Sequence, residues 1–565
     1  MTTDATGFLL PSVLLGKDWK GLELSVLRLL AHIGWTNLQY VGQSGDMGAD
    51  ILGVRYDAKA QRFRSYLFQV KAVSGVYATV SHAAIDQALA AQTFYGANTV
   101  VVVTNGEFTK SAIERVAQLN ETNNNVQLWN GATLLAAMQR CPNDSADRKT
   151  PFPYQQDVID RVYQAYLAGK KHALYVVATG LGKTIIAAEV VKRLYHQHGL
   201  KKVLVLCHSE ALAIQLQKSF WSQLDETIPT VLFKGGSKPI PIDGINFGLY
   251  QSLYSNLGGF GGEEFDLVVV DEAHHAMANS FSLCLNHLKP KFLIGMTATP
   301  WRGDGFDITS VFGKPLVQVS LVQGMKMGRI AAVDYRIMCD NINWKEVEKI
   351  ADQKISIKDL NKRLFMPQRD EAVIKQIKLV SQEMQNPKIA VFSPSIEHAK
   401  RFAARLNELG FSAGYVSSKN KPLAHKALLD FSSDRLNAIT AVDMLNEGID
   451  VPDINIIVFL RATHSRRIFV QQLGRGLRVS KTKSKVIVLD FVSDIRRVAA
   501  VIEMNEEAKQ KPKQGEYAVV YLKNGFVSFN DAKSKGFIEE WLNEVTDIQD
   551  EDDNASLTIP HFKEF

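Results

Sequence analysis

The feature that most constrains the fold is a series of short apolar segments between residues 152 and 495, most of them followed by a helix-like stretch. Uninterrupted Val, Ile and Leu runs indicate strands buried on both faces, and such strands occur in parallel sheets joined by helices. The first group contains "ALYVVAT", "KVLVLCH", "FDLVVVDEA" and "FLIGMTAT". The second contains "KIAVFSPS", "AITAVDML", "INIIVFLRA" and "KVIVLDFV". The pattern predicts two parallel α/β sheets.

The rest of the 565-residue chain precedes, connects or follows these two predicted sheets in the sequence. An N-terminal α/β unit is indicated by the strands "ADILGVRY", "SYLFQVKA" and "TVVVVTN", with helical stretches between and after them. The tail contains a possible hairpin with Asn-Gly at its turn. We predict a unit at 1–140, a linker at 141–151, a first lobe at 152–315, a connector or insert at 316–380, a second lobe at 381–495 and a tail at 496–565.

Charge and cysteine content exclude few functions. The net charge of +6 permits nucleic-acid binding without arguing for it. The four cysteines form no Cys-x-x-Cys pair, so we expect neither a disulfide framework nor structural zinc. No signal-peptide layout and no apolar stretch of about 20 residues is visible, which predicts a cytoplasmic protein without a membrane partner.

The segment "VVATGLGKT" joins a strand end to a helix start. Phosphate binding needs backbone N–H groups that converge at a helix N-terminus, and glycines permit that close approach. A valine replaces the first glycine of the general phosphate-loop pattern, but the core of the pattern is intact. We expect Lys183 to reach the β- and γ-phosphates and Thr184 to ligate Mg²⁺. The other expected nucleotide contacts are Thr179, Gly180 and Gly182.

Two acids end the strand in "LVVVDEAHH". One carboxylate can hold Mg²⁺, directly or through water, while the other orients or polarises the attacking water. We expect Asp271 in the first role and Glu272 in the second. His274 is interpreted as a contact between lobes rather than a metal ligand.

In this order, these motifs resemble those of superfamily 2 helicases and translocases of the DEAD/DEAH group, over roughly 152–495. The resemblance implies two RecA-like lobes that close on ATP. It implies a base contact for Gln155 in "PFPYQQ". It also implies a role in coupling hydrolysis to movement for the motif "MTATP", which contains Thr297, Ala298 and Thr299.

The resemblance continues into the second lobe. The segment "TAVDMLNEGIDVP" carries Gly448 and Asp450, which the resemblance places at the nucleotide. The segment "QQLGRGLR" carries Gln471, Arg475 and Arg478 and resembles the arginine-finger motif. Arginines of a facing lobe neutralise the charge on a transferring phosphoryl group when the lobes close.

The N-terminal unit contains a second candidate site. Phosphodiester hydrolysis needs a divalent metal held by oxygen ligands, and a cation near the reacting phosphate. Asp50 opens one strand, and Gln69 and Lys71 occupy alternate positions of the next, where side chains share a face. Asp50, Gln69 and the Val70 carbonyl can ligate Mg²⁺, while Lys71 stabilises developing charge.

The region 17–138 resembles the Mrr-like restriction endonucleases of the PD-(D/E)xK fold. The resemblance rests on "GLELSVLRLLAHIGW", "GDMGADI", "FQVKA" and "VVVTNGEFTKSAIERVAQ". It implies that Glu23 is an accessory acid and that Gln87 is a further site contact. Gln69 replaces the usual acid, as is common in this branch, which removes one negative charge from the metal site.

Together these features predict an α/β protein with a restriction-endonuclease-like domain, two RecA-like lobes and a small C-terminal tail, similar to type I and type III restriction motor subunits. We expect an ATP-dependent DNA translocase or helicase coupled to a Mg²⁺-dependent DNA endonuclease, in restriction or defence. The expected partners are DNA, duplex or partly single-stranded, and a specificity or defence-system protein. Two alternatives stay open: a remodelling or repair helicase whose N-terminal domain only binds DNA, and an RNA helicase.

Overall fold

A computed structural model gives the architecture of the chain. It describes residues 7–42, 48–58, 61–75, 77–122, 124–233, 240–274, 279–298, 308–338, 342–350, 353–356, 359, 370–417, 419–442, 454–460, 485–491, 495–510, 527–531, 533, 535, 538 and 556–558. None of the helices in these ranges is long and apolar enough to cross a lipid bilayer.

The N-terminal region is built on a five-stranded sheet of order β1-β2-β3-β5-β7. Strands β1 to β3 pair antiparallel, and β3, β5 and β7 pair parallel. A small parallel pair, β4 and β6, lies apart. The strands are β1 (Thr36–Tyr40), β2 (Ile51–Asp57), β3 (Arg62–Lys71), β4 (Thr79–Val80), β5 (Thr99–Thr104), β6 (Glu107–Phe108) and β7 (Val126–Trp129). The helices are α1 (Pro11–Leu14), α2 (Trp19–His32), α3 (Ala83–Tyr95), α4 (Lys110–Glu121) and α5 (Gly131–Gln139).

The first lobe contains a parallel sheet of order β10-β11-β9-β12-β13-β8-β14. Its strands are β8 (His172–Val177), β9 (Lys202–Cys207), β10 (Thr230–Leu232), β11 (Gly244–Leu249), β12 (Leu267–Asp271), β13 (Phe292–Thr297) and β14 (Val317–Val319). The helices are α6 (Pro153–Leu167), α7 (Lys183–Gln197), α8 (Glu210–Trp221), α9 (Tyr250–Tyr254), α10 (Asn279–His287) and α11 (Thr309–Phe312), with a 3₁₀ turn at Leu257–Gly259.

The second lobe contains another parallel sheet, of order β18-β19-β17-β20-β21-β15-β22. Two further strands, β16 and β23, pair antiparallel. The strands are β15 (Ala332–Met338), β16 (Lys354–Ser356), β17 (Ile389–Phe392), β18 (Ala413–Val416), β19 (Ala438–Ala441), β20 (Ile456–Phe459), β21 (Lys485–Phe491), β22 (Val527–Phe529) and β23 (Ser556–Thr558). The helices are α12 (Leu321–Lys326), α13 (Trp344–Ile350), α14 (Asp370–Ser381), α15 (Ile396–Glu408), α16 (Lys421–Ser432) and α17 (Ile495–Lys509).

The predicted fold class is confirmed, since each apolar segment that predicted a strand forms one. Both parallel sheets also recruit strands from the segments predicted as connector and tail. Strand β14 joins the first sheet, β15 joins the second, and β22 pairs with β15. The first half of the predicted tail hairpin lies outside the described residues.

The chain divides into two compact units. The first comprises residues 1–174, 184–296 and 419–433, so the N-terminal sheet and most of the first lobe belong together. The second comprises 175–183, 297–418 and 434–565 and contains the sheet of the second lobe.

Within the first unit, a buried arginine joins helix α2 to the first lobe. Arg28 is 1% exposed and donates to the carbonyl oxygens of Ile228 and Asp225 at 2.8 and 3.1 Å. Its guanidinium lies 4.0 Å from the centre of the Phe8 ring. Burial lowers the pKa of Arg28 to about 9, so it remains charged at neutral pH. The charge is therefore fixed at the junction by carbonyl dipoles and an aromatic face.

The segment predicted as a linker is also held in this unit. Asp144 contacts Lys192 Nζ at 3.4 Å and accepts a hydrogen bond from Arg148 at 2.5 Å. Lys192 lies on α7 and also contacts Asp225 at 3.6 Å. These ion pairs attach the segment to the helix that begins at Lys183.

Helix α16 follows a strand of the second-lobe sheet, yet it packs in the first unit against the N-terminal domain. Leu429 is fully buried in the hydrophobic core that Leu67, Ala88 and Val102 also help to form. Lys426 Nζ lies 5.2 Å from the centre of the Phe94 ring. Thus the core around the N-terminal sheet includes a side chain from more than 300 residues downstream.

This contact predicts an acid-sensitive stability. His425 Nδ1 lies 3.3 Å from Gln39 Oε1, and burial, aided by Lys421, lowers the His425 pKa from 6.5 to about 4. In the unfolded chain the His425 imidazole is therefore protonated below about pH 6.5, whereas in the folded chain it is protonated only below about pH 4. We expect stability to fall as pH falls through this window, by at most about 3 kcal/mol.

Calorimetry of the wild type and His425→Gln at pH 7 and pH 4.5 measures this effect. The glutamine cannot be protonated, so the first unfolding transition should shift less with pH in the variant than in the wild type. Equal shifts in the two proteins would show that His425 is not responsible.

Candidate nuclease and nucleotide sites

Asp50 is fixed at the point where β2 begins. Its backbone N–H donates to Phe68 O at 2.9 Å, and its carbonyl accepts from Val41 and Gly42 at 2.8 and 3.1 Å. Its side-chain Oδ2 accepts from the Val70 N–H at 2.6 Å. Asp50 is only 8% exposed, and these hydrogen bonds to neighbouring segments set its position.

Glu23 reaches the same region from helix α2. It is 3% exposed, although acids are rarely buried so fully without partners. Its Oε2 accepts a hydrogen bond of 2.5 Å from the hydroxyl of Tyr40, the last residue of β1. Burial, the Glu23 charge and this hydrogen bond raise the pKa of Tyr40 far above its ordinary value, so the phenol remains a donor.

Gly42 keeps the space between the two carboxylates open. A Cβ at this position would lie 2.7 Å from Glu23 Oε2 and 3.2 Å from Asp50 Oδ1. Both oxygens therefore border one small space that a side chain would fill. The edge of the Tyr40 ring also borders it, because Cε2 would lie 3.1 Å from the same Cβ.

Gln69 contributes a buried amide on β3, one residue before Val70, whose N–H binds Asp50. Gln69 is 2% exposed, and its Nε2 donates to Gln87 Oε1 at 3.2 Å. Its Oε1 is buried with no hydrogen-bond partner among the described residues. A buried amide oxygen without a partner is costly, which suits a ligand atom. Lys71, two residues later on the same strand, is partly exposed.

Asn105 secures the loop that follows Lys71. Its side chain donates to the carbonyls of Leu14 and Val73 at 3.0 and 2.8 Å, and accepts from the Val73 N–H at 2.8 Å. The Gly75 N–H also donates to Leu15 O at 3.2 Å. The loop is thus tied to the turn before α2, the helix that carries Glu23.

The donor set fits a hard divalent cation. Two carboxylates and an amide oxygen are ligands that Mg²⁺ accepts. Among the described residues, no group of three His, Cys, Asp or Glu side chains could hold a metal ion.

The predicted phosphate loop, residues 178–184, follows β8 and leads into α7. Gly180 and Gly182 have φ values of 88° and 79°, which disfavour other residues. Helix α7 begins at Lys183, whose carbonyl accepts a hydrogen bond of 2.8 Å from the Tyr175 hydroxyl. The Thr179 hydroxyl is buried and has no partner among the described residues.

The two acids stand at the end of β12, a strand of the same parallel sheet as β8. Asp271 and Glu272 are 6% and 9% exposed. Glu272 has φ +47°, an unfavourable conformation for a residue with a side chain. Its Oε2 lies 3.4 Å from Nδ1 of His274, which is fully buried. This histidine therefore contacts the acid expected to direct water.

The structure describes some of the other predicted motor residues and not others. Gln155 is 2% exposed, and its Oε1 accepts from the Phe152 N–H at 2.9 Å, so its assignment to the base stays a prediction. Thr297 and Ala298 are buried at the end of β13. The residues outside the described part are Thr299, Gly448, Asp450, Gln471, Arg475 and Arg478, and their roles also stay predictions.

Two site residues were not predicted from the sequence, Tyr40 and Gly42. From the sequence, a tyrosine at an inward position of a short strand is predicted to be a hydrophobic core residue. Only the hydrogen bond to Glu23 shows that Tyr40 belongs to the site. Gly42 begins the glycine-rich segment "GQSGDMG", but its close approach to two carboxylates is visible only in the fold.

Three segments match models of known families. Residues 14–138 match "Restriction endonuclease", residues 148–302 match "Type III restriction enzyme, res subunit", and residues 368–480 match "Helicase conserved C-terminal domain".

Similar proteins include restriction and helicase subunits. The EcoAI type I restriction enzyme endonuclease subunit of Escherichia coli is 27% identical over 409 residues, covering 64% of this chain and 49% of that subunit. IRC3 of Saccharomyces cerevisiae, described as an ATP-dependent helicase, is 24% identical over 60% of this chain and 51% of its own. The chain thus spans about half the length of these relatives.

A solved structure of the DNA-bound type ISP restriction-modification enzyme LlaBIII shares the fold. Its TM-score is 0.50, with 16% identity, over 83% of this chain and 36% of that one.

By its fold and its three matched segments, the chain is similar to a class of proteins that join a restriction endonuclease domain to a superfamily 2 helicase. Among chains of this class, it is similar to the motor subunits of type I and type III restriction enzymes.

Proposed function

We propose that the chain is an ATP-dependent DNA translocase or helicase coupled to a Mg²⁺-dependent DNA endonuclease, acting in restriction or defence. The observation that carries the proposal is that Glu23 and Asp50 border one small space, while Asp50 also accepts a hydrogen bond from the N–H of Val70, the residue after Gln69.

The nuclease residues divide the chemistry between them. Asp50, Gln69 and the Val70 carbonyl would hold Mg²⁺, which when bound lowers the pKa of a water and offsets phosphate charge. Glu23 supplies a second carboxylate at the same space. Lys71 places a cation at the accessible side, where it stabilises the charge that develops on the phosphate.

The motor residues hold and orient the nucleotide. Lys183 and the loop N–H groups bind its phosphates, and Thr184 and Asp271 would hold its Mg²⁺. Glu272 directs water, with its side chain oriented by His274. Arg475 and Arg478 complete the proposed site when the lobes close, and Gln155 reads the base.

DNA is the proposed substrate of both activities, bound mainly through its phosphates. Binding should therefore weaken as salt rises. Sequence or modification specificity is assigned to a partner protein of the restriction or defence system, and the proposed location is the cytoplasm.

One observation favours the alternative of a remodelling or repair helicase with a DNA-binding N-terminal domain. The candidate metal site has only two carboxylates, and no group of three metal-binding acids, cysteines or histidines occurs among the described residues. Such a site holds a cation less strongly than one with three charged ligands.

The deciding experiment incubates the protein with plasmid and linear DNA and Mg²⁺, with ATP, a non-hydrolysable ATP analogue or no nucleotide. ATPase stimulation by DNA and by RNA is measured in parallel. We expect DNA to stimulate the ATPase more than RNA, and DNA to be cut only when ATP is hydrolysed. DNA-stimulated ATPase without cutting favours the alternative, and stronger stimulation by RNA indicates an RNA helicase.

A further inference from the structure

Tyr40 lies where the nuclease sheet meets the helix that carries Glu23. It pairs with Ile51 across the β1–β2 ladder, so it stands beside the strand that Asp50 opens. The residue is 8% exposed, and its hydroxyl lies 2.5 Å from Glu23 Oε2.

Core packing alone does not explain the phenol. Phenylalanine would fill the same volume without a hydroxyl that needs a partner. A buried carboxylate, in contrast, costs free energy unless a donor is bonded to it. A neutral donor to a charged acceptor makes a short, strong bond and adds no charge to the site.

The segment from Tyr40 to Gly42 therefore does two things for the site. Tyr40 holds one oxygen of Glu23 in place, and Gly42 leaves open the space that Glu23 and Asp50 share. The Val41 and Gly42 N–H groups also fix this segment by donating to the Asp50 carbonyl. The orientation of Glu23 is thus tied to the backbone of Asp50.

We propose that Tyr40 is a positioning residue of the nuclease site, which holds the Glu23 carboxylate toward the cation that Asp50 and Gln69 bind. The inference rests on the proposed nuclease function. Loss of such a supporting hydrogen bond typically weakens metal binding by about 10- to 100-fold.

The test compares full-length wild type, Tyr40→Phe and Tyr66→Phe. Tyr66 is the matched control, because its ring packs on Trp35 with centroids 4.5 Å apart in the same sheet. Mn²⁺ binding without nucleotide is followed by the EPR signal of the free ion. Binding that persists in Asp50→Ala is subtracted, since it belongs to other sites.

We expect Tyr40→Phe to weaken Asp50-dependent Mn²⁺ binding by about 10-fold or more. The Mg²⁺ concentration for half-maximal cutting should rise by a similar factor, with the rate largely recovered at high Mg²⁺. Tyr66→Phe should match the wild type in both assays.

Unchanged Mn²⁺ affinity in Tyr40→Phe would overturn the inference, even if the wild type cuts DNA. A wild type that binds Mn²⁺ through Asp50 but cuts no DNA would count against the proposed function. In that case the Mn²⁺ comparison still decides whether Tyr40 positions Glu23. Absence of Asp50-dependent binding in the wild type would overturn both.

Discussion

Lys71→Ala is expected to reduce DNA cutting by about 10²- to 10³-fold, because it removes the cation that we propose stabilises the developing phosphate charge. DNA-stimulated ATPase should stay within about two-fold of the wild type, since Lys71 belongs to the N-terminal sheet and not to the phosphate loop. The measurements are initial rates of plasmid cutting and of phosphate release, made on the same preparation.

The control for this substitution is Lys110→Ala. Lys110 begins α4 in the same domain, and its side chain is 92% exposed, with a distant ion pair to Glu114 at 3.8 Å. Both rates should be unchanged in the control. If Lys71→Ala still cuts at the wild-type rate, cutting arises elsewhere in the protein or from a contaminant.

Lys183→Ala is expected to lower ATP hydrolysis by at least about 10²-fold. In the proposed site the ammonium group neutralises phosphate charge at the start of α7, and no other described lysine or arginine occupies the loop at 178–184. Phosphate release with saturating DNA measures the loss. Lys170→Ala, an exposed position before β8, is the matched control and should hydrolyse ATP normally.

The cutting rate of Lys183→Ala then distinguishes two kinds of enzyme. Loss of cutting together with ATPase indicates a nuclease driven by its motor. Retained cutting indicates a nuclease that works without ATP, and would contradict the coupling that we propose.

The sequence predicts the sheets well because buried strands are locally encoded. Val100 to Val103 are all fully buried, as a run of four valines requires. The sequence also predicts that Asp50 lies near "FQVK", since Gln69 and Lys71 are alternate residues of one strand and share a face. The Gln69–Gln87 hydrogen bond joins two residues that the family resemblance had placed together.

Other features depend on tertiary contacts that no local pattern contains. The proposed positioning role of Tyr40 depends on Glu23, which lies on a different element. The same tyrosine opposite an alanine would be an ordinary residue of the hydrophobic core. The segment "KPLAHKALLDFS" reads as an amphipathic helix of the second lobe. Nothing in its spacing indicates that Leu429 packs in the core of the N-terminal domain.

That packing of α16 has a consequence for how the protein is made. A ribosome releases the chain from its N-terminus, and early domains usually fold while later ones are still being translated. Here the hydrophobic core of the N-terminal domain lacks Leu429 until that residue has emerged from the ribosome. The N-terminal domain is therefore complete only after the first lobe and part of the second have been synthesised, so that a nascent chain acquires its finished N-terminal domain late in translation.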